Sequence, residues 1–287
     1  MKKFIAILAI LVALCLAAAG CAAPAAEAAE PAGEETPVEA APAEETAEQV
    51  ELIVFAAASL QETLTQIGEL YQAVAPNVTL IFSFDSSGTL KTQIQEGADC
   101  DLFISAAQKQ MNQLDAAADP EVNTEGVDFV EQGTRVDLLE NKVALVVPEG
   151  NPANINSFAD IANCESIALG NDDVPVGQYS IEILTNLGLL EGLESGSKIT
   201  YGSNVKEVTT QVSEGAVDCG IVYATDAFSA GLTIVDQAQE DMCSQVIYPA
   251  AVLNISQHLE EAKAFLAYLQ GEEATAVFES VGFAPVG

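Results

Sequence analysis

From residue 50 onward, short continuous apolar runs alternate with stretches whose apolar residues recur every three or four positions. Leu52-Ile53-Val54-Phe55 is a run of the first kind, of strand length. Leu60, Leu64, Ile67, Tyr71 and Val74 have helical spacing and predict a helix over 60–74. Val78–Phe84 predicts a strand, Leu90–Gln95 a short helix stopped by Gly97, and Leu102–Ser105 a strand followed by a helix through Met111 and Leu114. The same order then returns. Ile167–Leu169 predicts a strand, Ile181–Leu187 a helix, Ile199–Tyr201 a strand, Val205–Val212 a helix and Gly220–Ala224 a strand. A phrase recurs with it: Glu96-Gly97-Ala98-Asp99-Cys100-Asp101 against Glu214-Gly215-Ala216-Val217-Asp218-Cys219. Strands that are apolar throughout are buried on both faces, so the pattern implies α/β units, each a mostly parallel sheet with helices on both faces.

Two further apolar runs, Lys142–Val147 and Val246–Leu253, are placed to cross from one unit to the other and back. Ser256–Leu269 and Glu272–Val281 predict helices that close the first unit, with Gly271 as a stop between them. The expected organisation is two lobes joined by two crossing strands. Residues 50–140 plus 247–287 form the first lobe and 141–246 the second. Ligands of open α/β sheets sit beyond the carboxyl ends of the strands, so the cleft between the lobes is the expected site.

The amino-terminal segment reads differently. Lys2 and Lys3 precede an apolar run from Phe4 to Ala19, followed by Gly20 and Cys21. This is the arrangement of a secretory signal peptide over residues 1–20, too short for a comfortable membrane span. The small residues before Cys21 resemble a bacterial lipobox, which implies a lipid on that Cys; cleavage near Ala19 with Cys21 incidental is the alternative. Residues 21–49 are mostly Ala, Glu, Pro and Thr. They read as a disordered tether, because they bury too little to offset their ordering entropy.

Composition narrows the function. Lys and Arg total 9 against 43 Asp and Glu, for a net charge of -34. Such a surface repels nucleic acid and anionic headgroups, so any membrane contact would run through the lipid anchor alone. An anionic ligand would have to overcome that field. Export permits disulfides. Cys15 leaves with the signal, and Cys100, Cys164, Cys219 and Cys243 remain. Without a CxxC pair, a zinc or thioredoxin-like site has little support. Cys164 and Cys219 each precede an apolar run, and if those runs are neighbouring parallel strands the two thiols share a sheet edge. A Cys164–Cys219 disulfide is the favoured pairing, with two free buried thiols as the alternative. His258 is the single His, and no Gly-x-Ser-x-Gly elbow occurs, so no catalytic residue is nominated.

Four strand-to-helix junctions share one chemistry. Ser59 followed by Glu62 has the spacing of a capping box, as does Asn204 followed by Glu207. Asp85-Ser86-Ser87-Gly88-Thr89 sets two hydroxyls before a helical run, and Val174-Pro175-Val176-Gly177 sets Pro near a helix start. Helix starts carry unpaired backbone N–H groups and about +0.5 charge each. Four of them converging would face a dianion without any buried Lys or Arg. Each junction taken singly is an ordinary cap; their joint occurrence in a two-lobed exported chain is the signal. Tyr223, ending an apolar run, adds a rigid donor.

The segments Val54-Phe55-Ala56-Ala57-Ala58-Ser59-Leu60, Asp101-Leu102-Phe103-Ile104-Ser105-Ala106, Val174-Pro175-Val176-Gly177 and Gly220-Ile221-Val222-Tyr223-Ala224-Thr225-Asp226-Ala227 resemble the molybdate-binding components of bacterial ABC transporters. Tyr248-Pro249-Ala250-Ala251-Val252 and the later Gly282-Phe283 do too. The resemblance runs from about residue 51 to the carboxyl end. It implies a type II periplasmic-binding-protein fold and a tetrahedral oxyanion held only by neutral donors: Ser59, Ser87 with Ser86 as the neighbouring register, the backbone at Val176 and Val205, and Tyr223. It further implies molybdate or tungstate as ligand, no cofactor, a monomer, an ABC permease as partner, and a place on the extracytoplasmic face of the cell membrane. Gly88 departs from relatives that carry a third Ser, and 115–136 is a longer stretch with no assigned role. Receptors for sulfate or another anion, a secreted enzyme and a scaffold lipoprotein are the other readings.

Overall fold

The computed structural model describes residues 48–286. The signal peptide, Cys15, the lipidation candidate Cys21 and all but the end of the tether lie outside the described residues.

In chain order the fold begins with β1 (Val50–Ala57), α1 (Gln61–Val74), β2 (Val78–Asp85), α2 (Ser87–Gln95), β3 (Leu102–Ile104), α3 (Gln108–Asn112) and β4 (Val136–Asn141). It continues with β5 (Val143–Val147), β6 (Ile167–Gly170), α4 (Pro175–Asn186), α5 (Leu190–Ser195), β7 (Ile199–Gly202) and α6 (Val205–Ser213). Then come β8 (Cys219–Tyr223), α7 (Ala224–Ser229), β9 (Thr233–Gln237), β10 (Val246–Val252), α8 (Leu259–Leu269), α9 (Glu272–Ser280) and β11 (Ala284–Pro285). One sheet has the order β11-β4-β10-β3-β1-β2, the other β7-β6-β8-β5-β9.

The second sheet repeats the first: β2-β1-β3-β10-β4 corresponds to β7-β6-β8-β5-β9. Directions correspond as well. β1 is parallel to β2 and β3, and β6 to β7 and β8; β10 is antiparallel to β3 and β4, and β5 to β8 and β9. The echoed Glu-Gly-Ala phrase is one helix stop used twice. After α2, Gly97 N–H donates to Ile94 O and Ala98 N–H to Gln93 O; after α6, Gly215 donates to Val212 O and Ala216 to Gln211 O. Both glycines have positive φ, 93° and 66°, which completes a Schellman cap in each lobe.

Two sequence expectations are corrected. The runs 142–147 and 246–253 do not cross as strands, since β5 and β10 each lie within one sheet. The crossings are Lys142 alone and residues 238–245. The sheets are also mixed. A strand arriving from the other lobe enters at the cleft, where the parallel strands end, so it must run against them: Val143 pairs with Tyr223, the last residue of β8. The sequence reading missed β4 and β9 because both are short and half-polar.

The first sheet is covered on both faces, as alternation along its strands shows. Leu52, Val54, Leu102, Ile104 and Val252 cluster with Leu64 and Ile67 of α1 and Phe265 of α8. Phe55, Phe103 and Ala251 cluster with Leu90 and Ile94 of α2 and Met111 of α3. In the second lobe Val205, Val208 and Val212 bury one stripe of α6. The 115–136 stretch is pinned by Arg135, which donates to Asp115 Oδ2 at 2.7 Å, Gln108 Oε1 at 2.6 Å and Asn112 Oδ1 at 2.5 Å.

Cys164 and Cys219 share the expected sheet edge: Cys219 pairs across from Ile167, three residues after Cys164. Both side chains are buried there.

Phe265 packs on Tyr71 of α1 at a ring separation of 4.8 Å and is fully buried. Phe265→Ala is expected to lower the unfolding free energy by about 3–5 kcal/mol, read from urea denaturation midpoints at unchanged slope.

Candidate functional site

β1, β2, β6 and β7 end at the cleft, and the chain after each of them turns into a helix start there; β8 ends at the same cleft with Tyr223. A small cavity lies between these junctions, and Ser59, Ser87, Val205 and Tyr223 line it. The third junction reaches it through Val174 and Pro175, with Val176 the next residue. About 10 Å³ of it is open to the centre of a water-sized sphere, so it suits a ligand of few heavy atoms. No Lys, Arg or His lines it; the single charged lining residue is Asp85, whose Oδ1 accepts from Ser86 N–H at 2.7 Å.

The four junctions are not alike. At the first, a tight turn over Ala58–Leu60 precedes α1, and Leu60 occupies the cap position without a side-chain bond. Ser59 is therefore no cap, which corrects the capping-box reading. Its buried Oγ lies 2.9 Å from Tyr248 Oη. At the second, Ser86 caps α2: its Oγ accepts from Thr89 N–H at 3.1 Å. Ser87 is fully buried, and its Oγ accepts from Ala106 N–H at 2.9 Å. Ser86 gives its hydroxyl proton to Thr89 Oγ1 at 2.8 Å, whereas Ser87, which only accepts, still has its proton to donate, so of the two serines Ser87 is the one with a donor for the cavity. At the third, Pro175 opens α4. Its missing N–H costs nothing there, and Val176 N–H belongs to the first-turn donors that find no partner within a helix. At the fourth, Asn204 Oδ1 accepts from Glu207 N–H at 3.1 Å, while the Glu207 carboxylate takes Ser203 N–H at 2.7 Å. The box is present but displaced by one residue, and Val205 is the first residue of α6.

Tyr223 ends β8 almost wholly buried, between the rings of Tyr179 and Tyr248 at 6.4 and 5.7 Å. Burial pushes its pKa well above the ordinary phenol value, so it stays a neutral donor. Its Oη reaches Ala106 O of the other lobe at 3.4 Å. The lobes also meet where Gly88 N–H donates to Asp173 O at 3.0 Å. A Cβ on residue 88 would lie 2.4 Å from that oxygen, so a side chain here would hold the lobes apart. Gly88 thus admits a closer lobe contact than a residue with a side chain would.

Sequence reading missed Tyr248 and Asn141. Tyr248 belonged to a quoted motif, but its bond to Ser59 joins residues 189 apart in sequence. Asn141 Nδ2 donates to Tyr248 Oη at 3.2 Å and to Thr225 Oγ1 at 2.9 Å, which ties the crossing at Lys142 to both lobes. A larger recess of about 540 Å³ lies at the crossings, lined from 140–143 and 237–246. No helix starts converge on it.

Residues 52–284 match the family model described as bacterial extracellular solute-binding protein. The chain belongs to that family. Among relatives, this solute-binding protein is 38% identical to YvgL of Bacillus subtilis, provisionally named an ABC transporter substrate-binding lipoprotein, over 82% of this chain and 86% of that one. It is 33% identical to the molybdate-binding protein ModA of Escherichia coli, over 83% of this chain and 90% of ModA. The periplasmic molybdate-binding protein of Azotobacter vinelandii superposes with a TM-score of 0.70 at 22% identity, covering 82% of this chain and 100% of that one. At that identity the likeness speaks for the two-lobed fold. Among the described residues no helix is long and apolar enough to cross a membrane.

Beside the cavity the solute-binding protein carries a charge cluster built on a buried carboxylate. Lys206 follows Val205, and its Nζ lies 3.1 Å from Asp226 Oδ1 and 2.7 Å from Glu62 Oε2. Burial alone would lower the Lys206 pKa, but the Asp226 and Glu62 carboxylates outweigh it and hold the ammonium above its ordinary range. Asp226 is 1% exposed. Lys206 lies within charge-pairing distance, yet neither carboxylate oxygen has a well-aimed hydrogen bond among the described residues. Burial raises the Asp226 pKa from 3.8 to about 6 against the opposing pull of Lys206.

The sign of the consequence follows from proton counts. The unfolded chain releases the Asp226 proton near 3.8 and the folded chain near 6. Between those values the folded state holds more protons, so this residue's contribution is complete below about pH 4 and is lost as pH rises through 6. The amount is about 3 kcal/mol. Unfolding free energies of wild type and Asp226→Asn, measured by urea from pH 4 to 7, are expected to shift against the wild type by that amount as pH rises.

Proposed function

We propose that this solute-binding protein captures a small tetrahedral oxyanion, molybdate or tungstate, in the interlobe cavity and presents it to an ABC permease. The observation that carries the reading is the convergence of neutral donors on one small cavity. Ser59 and Ser87 line it from the first lobe, Val205 and Tyr223 from the second, and in this reading the backbone N–H of Val176, next to the lining Pro175, adds a further donor. The name of the Escherichia coli relative supports the ligand and that of the Bacillus subtilis relative the ABC transporter.

The arrangement suits an oxyanion chemically. Four helix starts supply about +2 of local charge, and the acidic outer surface is weakened at the site by salt over about 8–10 Å. Every proposed contact is a donor, so an anion that keeps a proton, such as hydrogen phosphate, would leave its own O–H unpaired. Sulfate has the charge and shape of molybdate, and cavity size separates them. Because ligand would touch both lobes, binding favours the closed form by hinge bending, and a permease reads that form. The family is one of solute-binding proteins, and the reading is accordingly binding without turnover. The protein acts as a monomer on the extracytoplasmic face, held by a lipid on Cys21.

Calorimetric titration of a soluble form starting near residue 48 is expected to give one-to-one heat with molybdate and tungstate. Sulfate within tenfold of molybdate would sink the size argument, and heat with none of the oxyanions would remove the reading. Ser87→Ala is expected to weaken molybdate about tenfold to a hundredfold, the range for a hydrogen bond to a charged group. Tyr223→Phe tests the other lobe in the same titration, with thermal melting of the ligand-free variants as the control for folding.

A further inference from the structure

We propose that Glu62 and Lys206 form a latch that holds the two lobes closed over the cavity, an inference that rests on the oxyanion reading. Glu62 lies in the first turn of α1, in the first lobe. Lys206 is the second residue of α6, in the second lobe, beside the cavity-lining Val205. Its Nζ donates to both Glu62 oxygens, at 2.9 and 2.7 Å, so one ammonium spans the cleft at the rim.

Asp226 makes this pair a latch and not a passing surface contact. It follows Tyr223 by three residues, in the same lobe as Lys206. Its buried carboxylate stands 3.1 Å from the Lys206 ammonium and has no hydrogen-bond partner among the described residues. Opening the lobes therefore leaves Lys206 with Asp226 and breaks the Glu62 contact alone. Asp226 anchors the cation to its own lobe; Glu62 is the catch on the other. The Lys206 side chain is 25% exposed and that of Glu62 49%, so the pair is less screened than one standing free in solvent. Closing also forms the Gly88–Asp173 backbone bond, so the lobes are joined by direct contacts as well as through ligand.

Electrostatics gives the test its power, because two accounts differ in sign. Glu62 is a negative charge beside an anion site. If it acts on the ligand by charge alone, Glu62→Ala tightens anion binding. As a catch, it weakens binding. We expect Glu62→Ala to weaken molybdate about two- to fivefold, the range of such pairs, with faster release and an unchanged melting temperature without ligand. Glu62→Lys, which sets two cations against each other across the cleft, is expected to weaken it further although it adds positive charge near the anion. In a Lys206→Met background, Glu62→Ala is expected to have no weakening effect. Binding as tight as wild type or tighter in Glu62→Ala overturns the latch, as does a loss that persists in the Lys206→Met background. Small-angle scattering of the ligand-free proteins decides the case independently of ligand identity. Glu62→Ala more open than wild type supports the latch, and equal dimensions overturn it. A wild type that gives no heat with any oxyanion while Glu62→Ala is more open would defeat the ligand reading and leave the latch standing.

Discussion

One residue, Lys142, separates the end of β4 in the first sheet from the start of β5 in the second. That short crossing constrains the rest. β4 must end where β5 begins, so the carboxyl ends of the parallel strands in both sheets face one cleft. A chain that enters a sheet from that side runs against its neighbours, which makes β5 and β10 antiparallel to the strands they join. The same geometry turns helix starts toward the cleft, and there the local field is set by backbone dipoles more than by side-chain charge.

That division between backbone and side chain explains how so acidic a chain can hold an anion. Net charge acts at long range and is screened; dipole ends and hydroxyl protons act at contact distance. The side chains at the junctions have separate tasks. Ser86 and Asn204 satisfy helix ends, Ser87 and Ser59 are held by Ala106 and Tyr248, and Tyr223 is clamped between two rings. Serines buried with one bond already made are fixed in direction, so a ligand meets oriented donors rather than donors it must order itself.

The charged cluster at Lys206 shows the cost of placing ions beside such a site. Asp226 is buried enough that its pKa rises to about 6 despite a cation at 3.1 Å. A purely structural core would be more stable with an apolar residue there. Pairing Asp226 with a lysine that also spans the cleft gives that cost a mechanical use: the cation stays in one lobe and is shared with the other only when the lobes are shut.

Local pattern was enough to determine much of this protein. The apolar runs located β1, β2, β3, β6, β7 and β8, the helical spacing of Leu60, Leu64, Ile67 and Tyr71 located α1, and the Glu-Gly-Ala echo marked a repeated helix stop. These depend on neighbours within a few residues, which sequence states directly. The resemblance named Ser59, Ser87, Val205 and Tyr223, and these four line one cavity. Other features depended on contacts between distant residues. That Ser59 serves Tyr248 instead of capping α1, that Ser86 is the cap and Ser87 the buried donor, and that β5 and β10 stay within single sheets were decided by the tertiary structure. So was the meeting of Glu62, Lys206 and Asp226, two of which are 144 residues apart. A hydroxyl or carboxylate has several partners within reach of its own chain segment, and only the packed fold selects among them.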